Sequence, residues 1–216
     1  MNTFTPGYVV VEGPIGVGKT SLAMRLADAF GAKPLLEQPE ENPFLERFYQ
    51  SRKNFALPTQ LFFLFQRARQ IEALKQGDMF SAGHVADFLL DKDKLFARAN
   101  LDDDELRLYE QVYAQMSLRL PIPDLVIYLQ ASVDVLHERV RGRGVEYERM
   151  IDHDYLQLLV DAYTQFFHHY TAAPLLVVNA ERINIVDSDA DFKMLLTHIR
   201  KIRSGRHFFN PMVASL

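Results

Sequence analysis

The chain has 216 residues and a formal net charge of −4, which suits one α/β domain with a sizeable core and argues against a general nucleic-acid binder. It contains no Cys, so disulfides and thiolate zinc sites are excluded. No apolar run approaches the roughly 20 residues that span a bilayer, and MNTFTPGYVVVEGP shows neither the basic nor the apolar region of a secretory signal. A small-molecule enzyme of the cytoplasm is the expectation.

In chain order, the first apolar run is Tyr8–Val11, expected as a strand. The stretch GPIGVGKTS follows, fitting G-x-x-x-x-G-K-[ST] at Gly13, Gly18, Lys19 and Thr20. An apolar helical pattern, Ser21–Phe30, comes directly behind it. Strand, glycine-rich loop and helix in that order define a P-loop. Backbone N–H groups of Gly13, Pro14, Ile15, Gly16, Val17, Gly18, Lys19, Thr20 and Ser21, Pro14 excepted, are available to cradle phosphate oxygens at a helix N-terminus. Lys19 can reach the β- and γ-phosphates of ATP, and the Thr20 hydroxyl can ligate Mg²⁺.

Further strands are expected at Pro34–Leu36, His84–Leu89, Leu125–Leu129 and Leu175–Val178. Helices are expected at Thr59–Lys75, Asp102–Leu118, Val133–Val140, Asp154–Tyr170 and Ala190–Arg203. Strands alternating with helices imply a parallel sheet of about five strands, covered by helices on both faces. No linker or internal repeat divides residues 1–216, which read as a single domain. The acidic run Asp102–Glu105 reads as the first turn of a helix, where negative charge suits the macrodipole.

Several residues along this frame carry chemistry. Glu37 follows the second expected strand, at the sheet edge beside the P-loop, and a carboxylate there suits a general base. Gln60 and Arg67 are seven residues apart, about two helical turns, and share a face with Phe63 and Leu64. A polar group at each end of an apolar stripe suits a flat base between them. Phe62, Phe63 and Phe65 read mainly as core, with Phe63 available as a stacking wall. Asp87 closes a short apolar strand and can serve as the carboxylate that orients Mg²⁺. Arg139, Arg141 and Arg143, with Gly142 and Gly144 between and after them, read as an Arg-rich lid over about residues 139–150. The seven histidines show no metal-ligand spacing.

The tetrapeptide N-K-x-D of a regulatory GTPase is absent, and the size is that of a small-molecule kinase. Segments in order then resemble the deoxynucleoside kinases: Leu35-Leu36-Glu37-Gln38-Pro39, Asn42-Pro43-Phe44-Leu45, Phe48-Tyr49, Pro58-Thr59-Gln60 through Arg67, Arg139-Val140-Arg141-Gly142-Arg143 with Glu148, and Val186–Phe192. Bacterial members of that family commonly prefer purine deoxynucleosides. The resemblance implies a P-loop kinase fold and an ATP:deoxynucleoside 5′-phosphotransferase that works with Mg²⁺. It implies that Glu37 contacts the 5′-hydroxyl, Tyr49 the sugar 3′-hydroxyl with Glu148 as acidic partner, and Gln60 and Arg67 the base. It places Arg139 and Arg143 at the moving phosphoryl group, and Asp191 and Phe192 in the adenine-binding loop. A homodimer is also implied. Alternatives are a nucleoside monophosphate kinase of the thymidylate type and a P-loop regulatory protein. The chain departs from the family after Asp87, where Phe88 stands in place of an Arg, and either Lys92 or Lys94 is available to replace it.

Overall fold

The computed structural model describes residues 7–76, 83–116 and 122–211. Ser117 and Leu118, expected to end a helix, and residues 1–6 of the N-terminal stretch lie outside them. The elements run β1 (Tyr8–Glu12), α1 (Lys19–Phe30), β2 (Lys33–Leu35), α2 (Leu45–Gln50), α3 (Arg52–Gln76), β3 (His84–Ala86), α4 (Lys92–Asn100), α5 (Asp103–Gln115), β4 (Leu125–Gln130), α6 (Val133–Gly142), α7 (His153–His169), β5 (Leu175–Asn179), α8 (Asp189–Ile199) and β6 (Arg206–Phe209). Short 3₁₀ turns at Pro39–Glu41 and Tyr147–Met150 complete them.

The sheet has the order β2-β3-β1-β4-β5-β6, and every pairing is parallel. Its central strands YVVVE and LVIYLQ are buried almost throughout, as strands covered on both faces must be. One face packs Val9, Val11, Ile127 and Leu176 against α1, α6 and α8, and the other packs Val10, Val126, Tyr128 and Val177 against α4 and α7. After β1 the chain moves to one edge, and from β3 it crosses to β4 on the other side. The reversal falls at β1, so the crevice at its carboxyl end is where an open parallel sheet binds ligands.

The expected α/β architecture is present, with three corrections. The sheet has six strands rather than about five, because Arg206-His207-Phe208-Phe209 pairs with β5 as an edge strand. Its alternation of exposed and buried residues is too short and too polar at its start to read as a core strand. Helix α3 begins at Arg52, not Thr59, and carries Pro58 inside it. The proline forfeits one helical hydrogen bond without ending the helix, which defeats the rule that places Pro at a first turn. The strand expected over His84–Leu89 stops at Ala86, and α2 and α4 are additional helices. The acidic run behaves as read: Asp102 accepts from Asp104 N and Glu105 N, and the Glu105 carboxylate returns to Asp102 N at 3.3 Å. Among the described residues no helix is long and apolar enough to cross a membrane.

Candidate active site

The P-loop joins β1 to α1, with Gly18 at the helix cap. At Gly13 (φ +150°) a Cβ would lie 2.5 Å from the Leu129 carbonyl oxygen of β4, so only glycine lets the loop leave the sheet this close to a neighbouring strand. Lys19 donates to the Pro14 carbonyl at 3.1 Å. Burial, and then the charge of Lys92, lower its ammonium to about 8.

Two depressions meet at this loop. The first is a cavity of about 140 Å³ containing Lys19, Thr20, Glu37, Tyr49, Gln60, Phe63, Arg67, Asp87, Lys92, Arg143 and Glu148 in its walls. Residues proposed from six separate segments of sequence therefore share one enclosure. The second is an open groove lined by Gly16, Val17, Gly18, Ser21, Arg139, Arg143 and residues 180–187. Gly16 and Arg143 belong to both and mark their junction.

Inside the cavity, charge is tightly paired. Glu37 Oε1 accepts from Arg67 Nε at 3.0 Å and from an Arg67 terminal nitrogen, and its Oε2 accepts from Lys92 Nζ at 2.9 Å. Burial pushes the Glu37 carboxyl up, but the two cations outweigh it and hold the group well below the usual carboxylate range. Arg67 is itself clamped from behind by Asp93, whose side chain is buried. Burial raises Asp93 to about 6 despite that partner, consistent with its Oδ2 having no hydrogen-bond donor among the described residues. The Arg67 guanidinium also lies over the Phe63 ring, 5.3 Å from its centroid.

At the P-loop side, Thr20 Oγ1 donates to Asp87 Oδ2 at 2.6 Å, and Glu37 N donates to Asp87 Oδ1 at 2.8 Å. Asp87 is raised by burial and by the nearby Glu37 charge. Across the cavity, Tyr49 stacks on Tyr147 with ring centroids 6.1 Å apart. Burial and neighbouring acidic groups push its hydroxyl well above its ordinary value. Glu148 lies 3.5 Å from the lid residue Arg143, and its buried Oε2 has no donor among the described residues.

Other expected site residues fall elsewhere. Arg139 donates to the Ala180 carbonyl at 2.9 Å and lines the open groove, while Arg141 faces a different surface depression with His137 and Arg149. The three lid arginines are not a loop: Arg139 and Arg141 occupy the last turn of α6 and Arg143 caps it. Asp191 and Phe192 are not in the wall of the groove; residues 180–187 form it instead. Asp191 accepts from Asn184 N at 2.8 Å, and Phe192 lies under Arg25, 4.3 Å from ring centroid to guanidinium carbon. Arg25 also donates to the Ile185 and Val186 carbonyls, so these residues brace the groove from behind.

Of the two lysines, Lys92 lies in the cavity, and Lys94 lies over the Tyr113 ring in a separate groove. Sequence reading missed Glu12 and Asp93. Glu12 ends β1 as a fully buried carboxylate, and a charge inside an otherwise apolar strand was the signal available for it.

A phosphate loop, a neighbouring carboxylate and an arginine at the junction of two grooves define a P-loop phosphotransferase. The family model described as "Deoxynucleoside kinase" matches residues 9–204, and the chain belongs to that family. A deoxyguanosine kinase of Bacillus subtilis is 31% identical over 207 residues, covering 92% of this chain and 98% of that protein. A deoxyadenosine kinase of Lactobacillus acidophilus is 28% identical over 205 residues, covering 88% and 94%. The structure of a deoxyadenosine kinase from M. mycoides, with dCMP and a flexible dCDP bound, superposes with a TM-score of 0.78 at 23% identity. It covers 90% of this chain and 100% of that one and attests the shared fold. The enzyme is a deoxynucleoside kinase.

Proposed function

We propose that the enzyme transfers the γ-phosphoryl group of ATP to the 5′-hydroxyl of a purine deoxynucleoside. The observation that carries this is the placement of Glu37 and Asp87 in one cavity with Lys19 and Thr20, with Arg143 at its junction with the second groove. The P-loop and the groove along residues 180–187 suit the triphosphate and base of ATP. The cavity suits the deoxynucleoside, with Gln60 and Arg67 toward its base and Tyr49 and Glu148 toward its sugar. The donor-free Glu148 Oε2 supports that last role, because a sugar hydroxyl would satisfy it.

Glu37 orients the 5′-hydroxyl and takes its proton as the bond from 5′-oxygen to γ-phosphorus forms. The bond from phosphorus to the β–γ bridging oxygen breaks, and its electron pair leaves with ADP. Arg143 and Arg139 meet the equatorial phosphoryl oxygens, where charge is spread in the transition state. The hydroxyl–carboxylate contact of Thr20 and Asp87 fits Mg²⁺, which needs only one or two protein ligands beside phosphate oxygens. Thr20 and Asp87 would hold the ion, which would supply positive charge to the phosphate oxygens.

Purine preference is supported by the Gln60–Arg67 arrangement and by relatives named for deoxyguanosine and deoxyadenosine. Composition carries the further reading of a cytoplasmic enzyme, and the family resemblance that of a homodimer, which a light-scattering mass tests. A panel of deoxynucleosides and nucleoside monophosphates with ATP and Mg²⁺ tests the function. Consumption of deoxyguanosine or deoxyadenosine supports it. A monophosphate as preferred acceptor, or no acceptor at all, refutes it, and thymidine as the best acceptor refutes the purine assignment.

A further inference from the structure

Glu37 is gripped from two sides that are not equivalent. Its Oε1 takes two donors from Arg67, which fills both lone-pair sites of that oxygen. Among the described residues Oε2 takes one donor, Lys92 Nζ at 2.9 Å, which leaves it one acceptor site. Both side chains line the cavity.

Lys92 is anchored in turn. Glu12 Oε1 lies 3.8 Å from its ammonium on the other side. Glu12 is fixed by three donors at 2.9 Å: the backbone N–H of Gly13, the backbone N–H of Leu89 and the Tyr163 hydroxyl. The first of these is the opening residue of the phosphate loop itself. One buried ammonium therefore spans a carboxylate locked to the phosphate loop and a carboxylate at the acceptor.

We propose that Lys92 is a positioning residue for phosphoryl transfer, holding Glu37 from its Glu12 anchor so that Oε2 is the oxygen that receives the 5′-hydroxyl proton. The inference rests on the function proposed above. Lys92 keeps its own protons throughout; it aligns the acceptor with the phosphate loop and does not touch the proton in flight.

Lys92→Met, assayed with ATP, Mg²⁺ and deoxyguanosine, should lower kcat by about 10²-fold, the scale of an ångström's misplacement at a reacting group. KM for ATP should stay within about twofold, because the P-loop binds it independently. Lys92→Arg should recover most of the loss. The double variant Glu37→Gln/Lys92→Met should be no slower than Glu37→Gln alone, since a residue that acts through Glu37 has nothing left to position. A merely structural role would instead give additive losses and overturn the proposal. So would Lys92→Met within about threefold of the parent kcat, far from the misplacement scale. Failure of the underlying function reads differently, as a Glu37→Gln enzyme with normal turnover. Urea unfolding checks each variant, and where Lys92→Met does not fold, Lys92→Gln, which keeps a donor without the charge, carries the same cycle. Lys94→Met is the control and should keep the parent kcat.

Discussion

Glu37→Gln is the substitution on which the chemistry turns. Glutamine keeps the side chain's shape and one carbonyl oxygen, so Arg67 retains an acceptor and its buried pairing with Asp93 stays intact. What changes is the second position. An amide nitrogen would face the Lys92 ammonium at the present 2.9 Å, donor against donor, and Lys92 would turn toward Glu12. Losing one buried charge-assisted hydrogen bond costs about 1–3 kcal/mol of stability. In a chain of this size that lowers Tm by about 2–12 °C, at roughly 2–4 °C per kcal/mol.

Turnover should fall much further. General-base contributions run about 10²–10⁴-fold, or about 3–5 kcal/mol of barrier at 1.36 kcal/mol per decade. ADP release with saturating deoxyguanosine measures turnover, and the ATP-induced rise in Tm reports nucleotide binding, which should survive because Lys19 and the loop backbone hold phosphate independently of Glu37. Near-normal turnover would refute the assignment and pass the role to Asp87, whose carboxylate already touches Thr20.

Arg143→Ala should lower kcat by about 10²–10³-fold while weakening deoxynucleoside binding far less, since under the proposed function its charge meets the phosphoryl oxygens mainly in the transition state. Equal losses in both, from steady-state kinetics, would leave Arg143 as the Glu148 partner alone. Asp93, raised to about 6 in the fold, makes a pH-dependent contribution to stability that is fully present below its ordinary value near 4 and lost as pH rises through 6. Asp93→Asn should therefore flatten the stability curve by up to about 3 kcal/mol between pH 4 and 7, read by urea unfolding across that range. The opposing contribution from Glu37, held below the usual carboxylate range, starts to fall only as pH drops below about 5 and so overlaps this window at its acid end alone. A slope unchanged by the substitution would refute the buried-carboxyl account.

The sequence by itself determined the parts that are local. The P-loop is legible because strand, loop and helix are contiguous between Tyr8 and Phe30. Apolar runs marked the central strands β1, β4 and β5 because a strand buried on both faces tolerates little else. The half-exposed edge strand β6 carried no such mark. The cavity residues Glu37, Tyr49, Gln60, Arg67, Asp87, Arg143 and Glu148 could be named from their family pattern, yet their pairings could not. The spacing of Gln60 and Arg67 suggests a base contact; that Arg67 grips Glu37 and is backed by Asp93 depends on α3 and α4 packing side by side. Lys92 and Lys94 are two residues apart, roughly 200° around a helix, so only one can face the cavity. Which one does is set by the face that α4 packs inward: Lys92 shares it with the buried Asp93 and the cavity-lining Phe96, and Lys94 is left at the surface. Arg141 leaves the lid for the same reason, two residues from Arg139 on the last turn of α6. Residue type supplies the charge, but helix rotation against the sheet decides where that charge is delivered, and rotation is fixed by contacts between segments far apart in the chain.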